Sequence, residues 1–73
     1  MRAIVKHWTQ QSVAVPSIGN YKTTVTLIHP SVTTAVTLCG RMTRKQALAR
    51  AWDALSVQRQ FGTAFLQDLK DML

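Results

Sequence analysis

The apolar residues of this 73-residue chain change their spacing once, near Gly40. Between residues 21 and 39, apolar and polar residues alternate at the period of two that is typical of a half-buried strand. After Gly40 they recur at the spacing of an amphipathic helix, at Leu48, Ala51, Trp52 and Leu55. Strands followed by helices predict an α+β fold, and we expect residues 1–73 to form a single small domain with a β-sheet in 1–40 and helices in 43–73.

The first 40 residues predict three antiparallel strands. The segment "YKTTVTLIH" alternates Tyr21, Val25 and Leu27 with polar residues, and "VTTAVTLC" continues the alternation after a hairpin bend at His29-Pro30-Ser31. Proline cannot donate to a strand ladder, so a turn suits Pro30. Upstream, "RAIVKHWT" and "SVAV" form either one bent strand or two short ones, closed by the turn-forming residues 16–20.

The helical part begins with a capping signal. Thr43 and Gln46 have the spacing of a capping box, which predicts a helix start at Arg44. A second apolar stripe follows at Phe61, Phe65, Leu69 and Met72. One long kinked helix or two helices would fit, and two are favoured because Gly62 would cost about 1 kcal/mol inside a helix. The second helix either completes the core or offers Phe61, Phe65 and Leu69 as a partner interface.

The positive charge is unevenly distributed. The chain has a net charge of +6, yet residues 1–52 contain seven Lys and Arg and no acidic residue, whereas all three Asp lie in 53–73. Such a segment attracts phosphate backbones or acidic protein surfaces over a Debye length of about 8 Å. A basic surface that only maintains solubility is the alternative.

Several of these cations crowd the predicted helix start. Cations in a first turn oppose the helix dipole at a cost of about 0.3–1 kcal/mol each, whereas free amides and cations together bind anions. We therefore predict a nucleic-acid-binding site that grips phosphates from the helix start and the sheet, formed by Arg41, Arg44, Lys45, Lys22, Lys6 and Arg50. Side chains that extend into solvent without binding anything are the alternative.

Five residues at this junction carry a resemblance to a known family. Following two strands, the chain has Gly40, Thr43, Arg44, Lys45 and Ala47. They resemble the junction in the AP2-like arm-type DNA-binding domain of phage integrases, and the resemblance covers residues 21–55. It implies a three-stranded sheet plus helix that lays the sheet into the major groove of DNA. Arg41 stands where that family tends to have an aromatic residue, and Gln46 replaces an acid.

Two other nucleic-acid-binding motifs were compared with the helical part. "TRKQALARA" also looks like the final helix of double-stranded RNA-binding domains, in which paired lysines hold phosphates, but this chain lacks that family's opening helix. A helix-turn-helix is disfavoured, because the turn glycine is missing and the second helix would present Gln67 and Asp68 instead of a basic face.

The sequence gives little sign of catalysis. It has no Glu, and His7 and His29 lack partners at metal-ligand spacing, so we expect no enzyme activity, catalytic residue, metal or cofactor. Cys39 is expected to be a small core residue instead of a reactive thiol. Trp8 either packs or stacks on a base, and packing is favoured.

Two functions remain. The first is a small basic nucleic-acid-binding regulatory protein, with DNA favoured over RNA. The second is a phage-encoded inhibitor, similar to anti-CRISPR proteins, or an adaptor that binds a host protein or ribonucleoprotein complex without catalysis. A second copy of the chain is a further candidate partner. The apolar runs are too short for a membrane span or signal peptide, so we expect the cytoplasm, that of a bacterial host if the chain is phage-encoded.

Overall fold

The computed structural model describes residues 1–11 and 19–73. It has a three-stranded antiparallel sheet in the order β1-β2-β3, followed by two helices, which confirms the predicted α+β fold. The elements are β1, Arg2–Gln11; β2, Gly19–His29; β3, Val32–Cys39; α1, Arg44–Ser56; and α2, Thr63–Asp71. The "SVAV" segment and residues 16–18 of the predicted turn lie outside the described residues.

The strand register divides the side chains between two faces of the sheet. Val25 pairs with Val5 on one side and with Val36 on the other, so these three side chains share a face. Thr24, one residue earlier, pairs with Lys6 and Thr37 on the opposite face. We call the first the inner face, because both helices pack there, and the second the open face.

The predicted hairpin bend is confirmed. β2 ends at His29 and β3 begins at Val32, so Pro30 and Ser31 form the connection, and His29 pairs directly with Val32. Proline presets the backbone angle that the first central position of a common turn requires. A connection of two residues fixes the register of the two strands, and with it the face on which every later β3 side chain lies.

The capping box that fixes the start of α1 is also confirmed. The hydroxyl of Thr43 accepts from the amide of Gln46 at 3.2 Å, and the side-chain oxygen of Gln46 accepts from the amide of Thr43 at 3.1 Å. The helix begins at Arg44 as predicted. It ends at Ser56, and α2 starts at Thr63, so the helical part consists of two helices.

The core lies between the inner face and the two helices. Val25 and Leu27 of the central strand are fully buried, and α1 and α2 cover them with one apolar stripe each. The buried apolar residues are Ala3, Val25, Leu27, Ala47, Leu48, Ala51, Leu55, Phe65 and Leu69. Both helices use their apolar faces on the same side of the sheet, so they leave the open face uncovered.

The predicted partner interface on α2 is wrong for two of its three residues. Phe65 and Leu69 are 1% and 0% exposed, inside the core of this chain. Phe61 is half-buried and stacks on Phe65 with ring centroids 4.9 Å apart. The indole of Trp52 on α1 donates to the carbonyl of Leu66 at 3.2 Å, which holds α2 against α1. The second helix therefore completes the core.

Two residues differ from the predicted burial. Cys39 is exposed on the open face, because the alternation of β3 gives the inner position to Leu38. Tyr21 is on the inner face yet 53% exposed. Its neighbour Thr23 is fully buried instead, and its hydroxyl donates to the carbonyl of Gly40 at 2.8 Å.

Replacing Phe65 distinguishes a core residue from a partner contact. We expect Phe65→Ala to lower the free energy of unfolding of the isolated chain by about 3–5 kcal/mol, because it leaves a cavity between α2 and the sheet. Val57→Ala is the control, since Val57 is 75% exposed and its loss should change stability by less than about 0.5 kcal/mol. Urea denaturation measures both, and equal stabilities of the two variants would contradict the buried position of Phe65.

Candidate nucleic-acid interface

The loop at residues 40–43 is fixed to the end of the sheet by three hydrogen bonds. Besides the bond from Thr23, the amide of Gly40 donates to the carbonyl of Tyr21 at 2.7 Å, and the ring Nε2 of His7 bonds to the carbonyl of Met42 at 2.6 Å. Gly40 has φ 102°, a left-handed conformation that favours glycine. The sharp turn there brings α1 back across the inner face.

The open face carries cations and no carboxylate. Arg2, Lys6 and Lys22 all lie on it, as their pairing with Ile28, Thr24 and Cys39 shows. Residues 1–52 contain no acidic residue, so the strands contribute no negative side chain to either face. The rest of the face is rich in hydroxyl groups, which both donate and accept, from Thr24, Thr26, Thr33 and Thr37.

Trp8 gives the open face an aromatic surface. Its indole nitrogen donates to the hydroxyl of Thr24 at 2.8 Å, which holds the ring against the sheet, while 41% of the residue remains exposed. Trp8 is therefore attached to the central strand and still partly accessible to solvent.

Lys22 lies on the central strand, near the end of the sheet from which the loop to α1 leaves. It pairs with Trp8 on β1 and with Cys39 on β3, and its ammonium group donates to the sulfur of Cys39 at 3.2 Å. Arg41 follows two residues after Cys39 and is exposed. It borders a cleft of about 310 Å³ together with His7, Trp8, Thr9 and Tyr21 at the same end of the sheet.

Arg44 at the start of α1 was predicted to bind phosphate, but in the structure it bonds to the sheet. Its guanidinium donates to the carbonyl of Ala3 on β1 at 3.0 Å, so this side chain ties the first turn of α1 to an outer strand of the sheet. A guanidinium has five N–H donors, and this bond uses one of them. Lys45 and Arg50 are exposed on α1.

The predicted cations therefore form two groups instead of one. Lys6 and Lys22 lie on the open face, whereas α1 with Arg44, Lys45 and Arg50 packs on the inner face. Arg41 lies between the groups, in the loop that joins β3 to α1. Arg2 lies on the open face with Lys6 and Lys22, but it was not predicted as a site residue. The sequence contained a signal for it, because Arg2 and Lys6 are four residues apart on one strand and therefore share a face.

All three acidic residues lie on the helices. Asp53 is on α1, and Asp68 and Asp71 are on α2. The carboxylate of Asp68 bonds to His29 at 2.8 Å, and that of Asp71 accepts from the side-chain amide of Gln67 at 2.9 Å. The helical layer thus contains all three carboxylates together with the cations of α1 and α2, whereas the open face has cations and no carboxylate.

A scan against protein-family models found no match, and searches of curated proteins and of solved structures found no significant one. In the described part of the chain, no helix is long and apolar enough to cross a membrane. The same residues contain no group of three His, Cys, Asp or Glu that could hold a metal ion.

Two neighbouring cations at the helix start should differ in their effect on stability. We expect Arg44→Ala to lower the free energy of unfolding by about 1 kcal/mol, because the carbonyl of Ala3 loses its charged donor. Lys45→Ala should leave it unchanged or raise it by about 0.3 kcal/mol, since it removes a cation from the positive end of the helix dipole. Thermal and urea denaturation measure both, and a larger loss for Lys45→Ala would contradict this assignment.

Proposed function

We propose that this chain is a small nucleic-acid-binding regulatory protein that contacts the phosphate backbone through the open face of its sheet. The observation that carries the proposal is the placement of Arg2, Lys6 and Lys22 on one face without an opposing carboxylate. Neutralised phosphates release counterions, and this release supplies most of the affinity of such surfaces. The proposed place of action is the cytoplasm, that of a bacterial host if the chain is phage-encoded.

The dimensions of the open face favour duplex DNA. Three strands spaced at about 4.8 Å give a ribbon about 10 Å wide between its outer strand axes, against a major groove about 12 Å wide. Threonine hydroxyls and methyl groups on the ribbon suit base edges, and cations suit the phosphates along the groove. The resemblance of residues 21–55 to the arm-type domains of phage integrases supports the same target.

Arg41 and Lys45 would extend the contact past the end of the sheet. Both are exposed in or next to the loop that His7 and Thr23 hold in place. Arg44 has a structural role first, because its guanidinium is bound to Ala3. We propose the open face as the main phosphate-binding surface and the helix start as an addition to it.

The proposal predicts a specific change in the salt dependence of binding. Each phosphate contact contributes about 0.9 to the slope of log affinity against log salt concentration. The double variant Lys6→Gln, Lys22→Gln should therefore bind duplex DNA with a slope shallower by about 1.8. The matched control is the double variant Arg59→Gln, Lys70→Gln, which removes the same amount of charge. Arg59 lies between α1 and α2, and Lys70 lies on α2, so neither residue belongs to the sheet.

The control variant should keep the slope of the unmodified protein. Fluorescence anisotropy with a labelled duplex measures all three proteins over a range of salt concentrations. Equal slopes for the two double variants would show attraction by net charge alone and would overturn the proposed surface. Micromolar protein that binds neither duplex DNA nor duplex RNA at about 50 mM salt would favour an acidic protein partner.

The two tryptophans provide a second, spectroscopic prediction. In Trp52→Phe the only indole is Trp8 on the open face, and we expect duplex DNA to change its emission, because the ring is next to Lys22. In Trp8→Phe the remaining indole is bonded to Leu66 between the helices, and its emission should stay constant. A change in Trp52 emission with none in Trp8 emission would place the nucleic acid on the helical layer.

A further inference from the structure

A continuous chain of hydrogen bonds joins three side chains at the β2–β3 turn. The hydroxyl oxygen of Ser31 lies 2.7 Å from Nδ1 of His29, and Nε2 of His29 lies 2.8 Å from Oδ2 of Asp68 on α2. We propose that Ser31 is a nucleophile for acyl transfer, with His29 as its general base and Asp68 as the residue that positions the imidazole. This activity is independent of the nucleic-acid-binding function proposed above. It departs from the expectation that the chain has no catalytic residue, because the sequence did not show that His29 and Asp68, 39 positions apart, are in contact.

The neighbouring hydrogen bonds assign the tautomer of His29. The backbone amide of Ser31 donates to Nδ1 at 3.2 Å, so Nδ1 carries the lone pair. Nε2 then carries the proton and donates a hydrogen bond to the carboxylate of Asp68. Nδ1 is therefore the acceptor within reach of the Ser31 hydroxyl proton, which is the arrangement that a general base requires.

The imidazole is held in place from several sides. Its side chain is 8% exposed, and the ring of Phe65 meets it edge-on with centroids 5.5 Å apart and an interplanar angle of 78°. The side chain of Asp68 is 47% exposed, so one carboxylate oxygen bonds to the ring while the group remains accessible to water. A base with a fixed ring loses little entropy when it accepts the proton.

Ser31 borders an open pocket on the surface. The residue is exposed and borders a space of about 400 Å³ together with Val32, Gln60, Phe61 and Gly62. None of these side chains is charged, and Val32 and Phe61 are apolar, so the space suits a short uncharged acyl ester.

The start of α2 borders the same cavity. Gly62 is the N-cap residue of α2 and has no side chain, so the amides of the first turn receive no side-chain cap from it. Backbone amides at a helix start stabilise negative charge, as an oxyanion requires during acyl transfer. Gly62 also leaves open space, because a Cβ atom built there would meet nothing within 4 Å.

The reaction follows from these positions and needs no cofactor. Ser31 Oγ attacks the acyl carbon and passes its proton to Nδ1 of His29, and the departing alkoxide takes that proton and leaves as an alcohol. Water then attacks the acyl-serine ester, giving a proton to Nδ1, and Ser31 Oγ leaves with that proton as the acid is released. Throughout the reaction Nε2 of His29 keeps its proton, which stays hydrogen-bonded to the carboxylate of Asp68.

A fluorophosphonate probe tests the nucleophile directly. Ser31 Oγ would displace fluoride from phosphorus, and mass spectrometry of the intact chain and its peptides would locate one adduct on Ser31. We expect Ser31→Ala to abolish this labelling and His29→Gln to slow it by about 10²–10⁴-fold. Ser56→Ala is the matched control and should label at the unmodified rate, because Ser56 bonds only to the carbonyl of Asp53.

Two variants test Asp68 as the positioning residue. We expect Asp68→Ala to slow the labelling of Ser31 and Asp68→Asn to restore most of the rate, because the amide oxygen of Asn can still accept a hydrogen bond from Nε2 of His29. A purely structural role for Asp68 would change stability and leave the labelling rate of the folded protein the same in both variants. Circular dichroism confirms that each variant is folded, and hydrolysis of p-nitrophenyl acetate gives a second readout in the unmodified protein.

The outcomes are distinct. Labelling of Ser31 that depends on His29 supports the proposal. Absence of an adduct on Ser31 in the folded, unmodified protein, or equal labelling of Ser31 and Ser56, overturns it and leaves the three side chains as a link between the turn and α2. Neither result bears on DNA binding, which the salt titration measures separately.

Discussion

One-sided burial of a three-stranded sheet is the constraint on which the rest of this structure depends. Val25 and Leu27 on the central strand are fully buried beneath both helices. Each buried aliphatic side chain contributes about 1.5–3 kcal/mol, and a small domain has few of them. Because both apolar helix faces are used on the inner side, none remains to cover the open face, where the cations, Trp8 and the threonines lie together with Ile4, Ile28 and Ala35.

The loop between the sheet and α1 links this burial to the distribution of charge. Thr23 and His7 hold the loop through its main-chain carbonyls, and Arg44 attaches the first turn of α1 to β1. These contacts fix α1 on the inner side. They also show that Arg44, which was predicted to bind phosphate, has a structural role. Of the other predicted cations, Lys6 and Lys22 lie on the opposite side of the sheet, Arg41 lies in the loop, and Lys45 and Arg50 are exposed on α1.

Much of the fold could be predicted because the relevant signals are local. Alternation gives the strands, Pro30 marks the hairpin, and the pairing of Thr43 with Gln46 fixes the start of α1 to the residue. The candidate site was harder, because it depends on contacts between residues far apart in the chain. Arg44 and Ala3 are 41 positions apart, and His29 and Asp68 are 39 apart.

The burial of particular residues was harder to predict than the elements themselves. Cys39 was expected in the core, although the alternation of β3 already places it on the face opposite Leu38, and the structure leaves it exposed. Phe65 and Leu69 fit a core or a partner interface equally well until the position of α2 is known. The sequence stripe shows that an apolar face exists, and only the tertiary structure shows what covers it.

The strict alternation of β3 has an evolutionary consequence. Its inner residues pack against the helices, while Thr33, Ala35 and Thr37 point away from them and are exposed. Substitutions at these outward positions alter the surface chemistry without disturbing any packed side chain. A lineage of such proteins could therefore change the chemistry of this face through single substitutions while the packed core stayed the same.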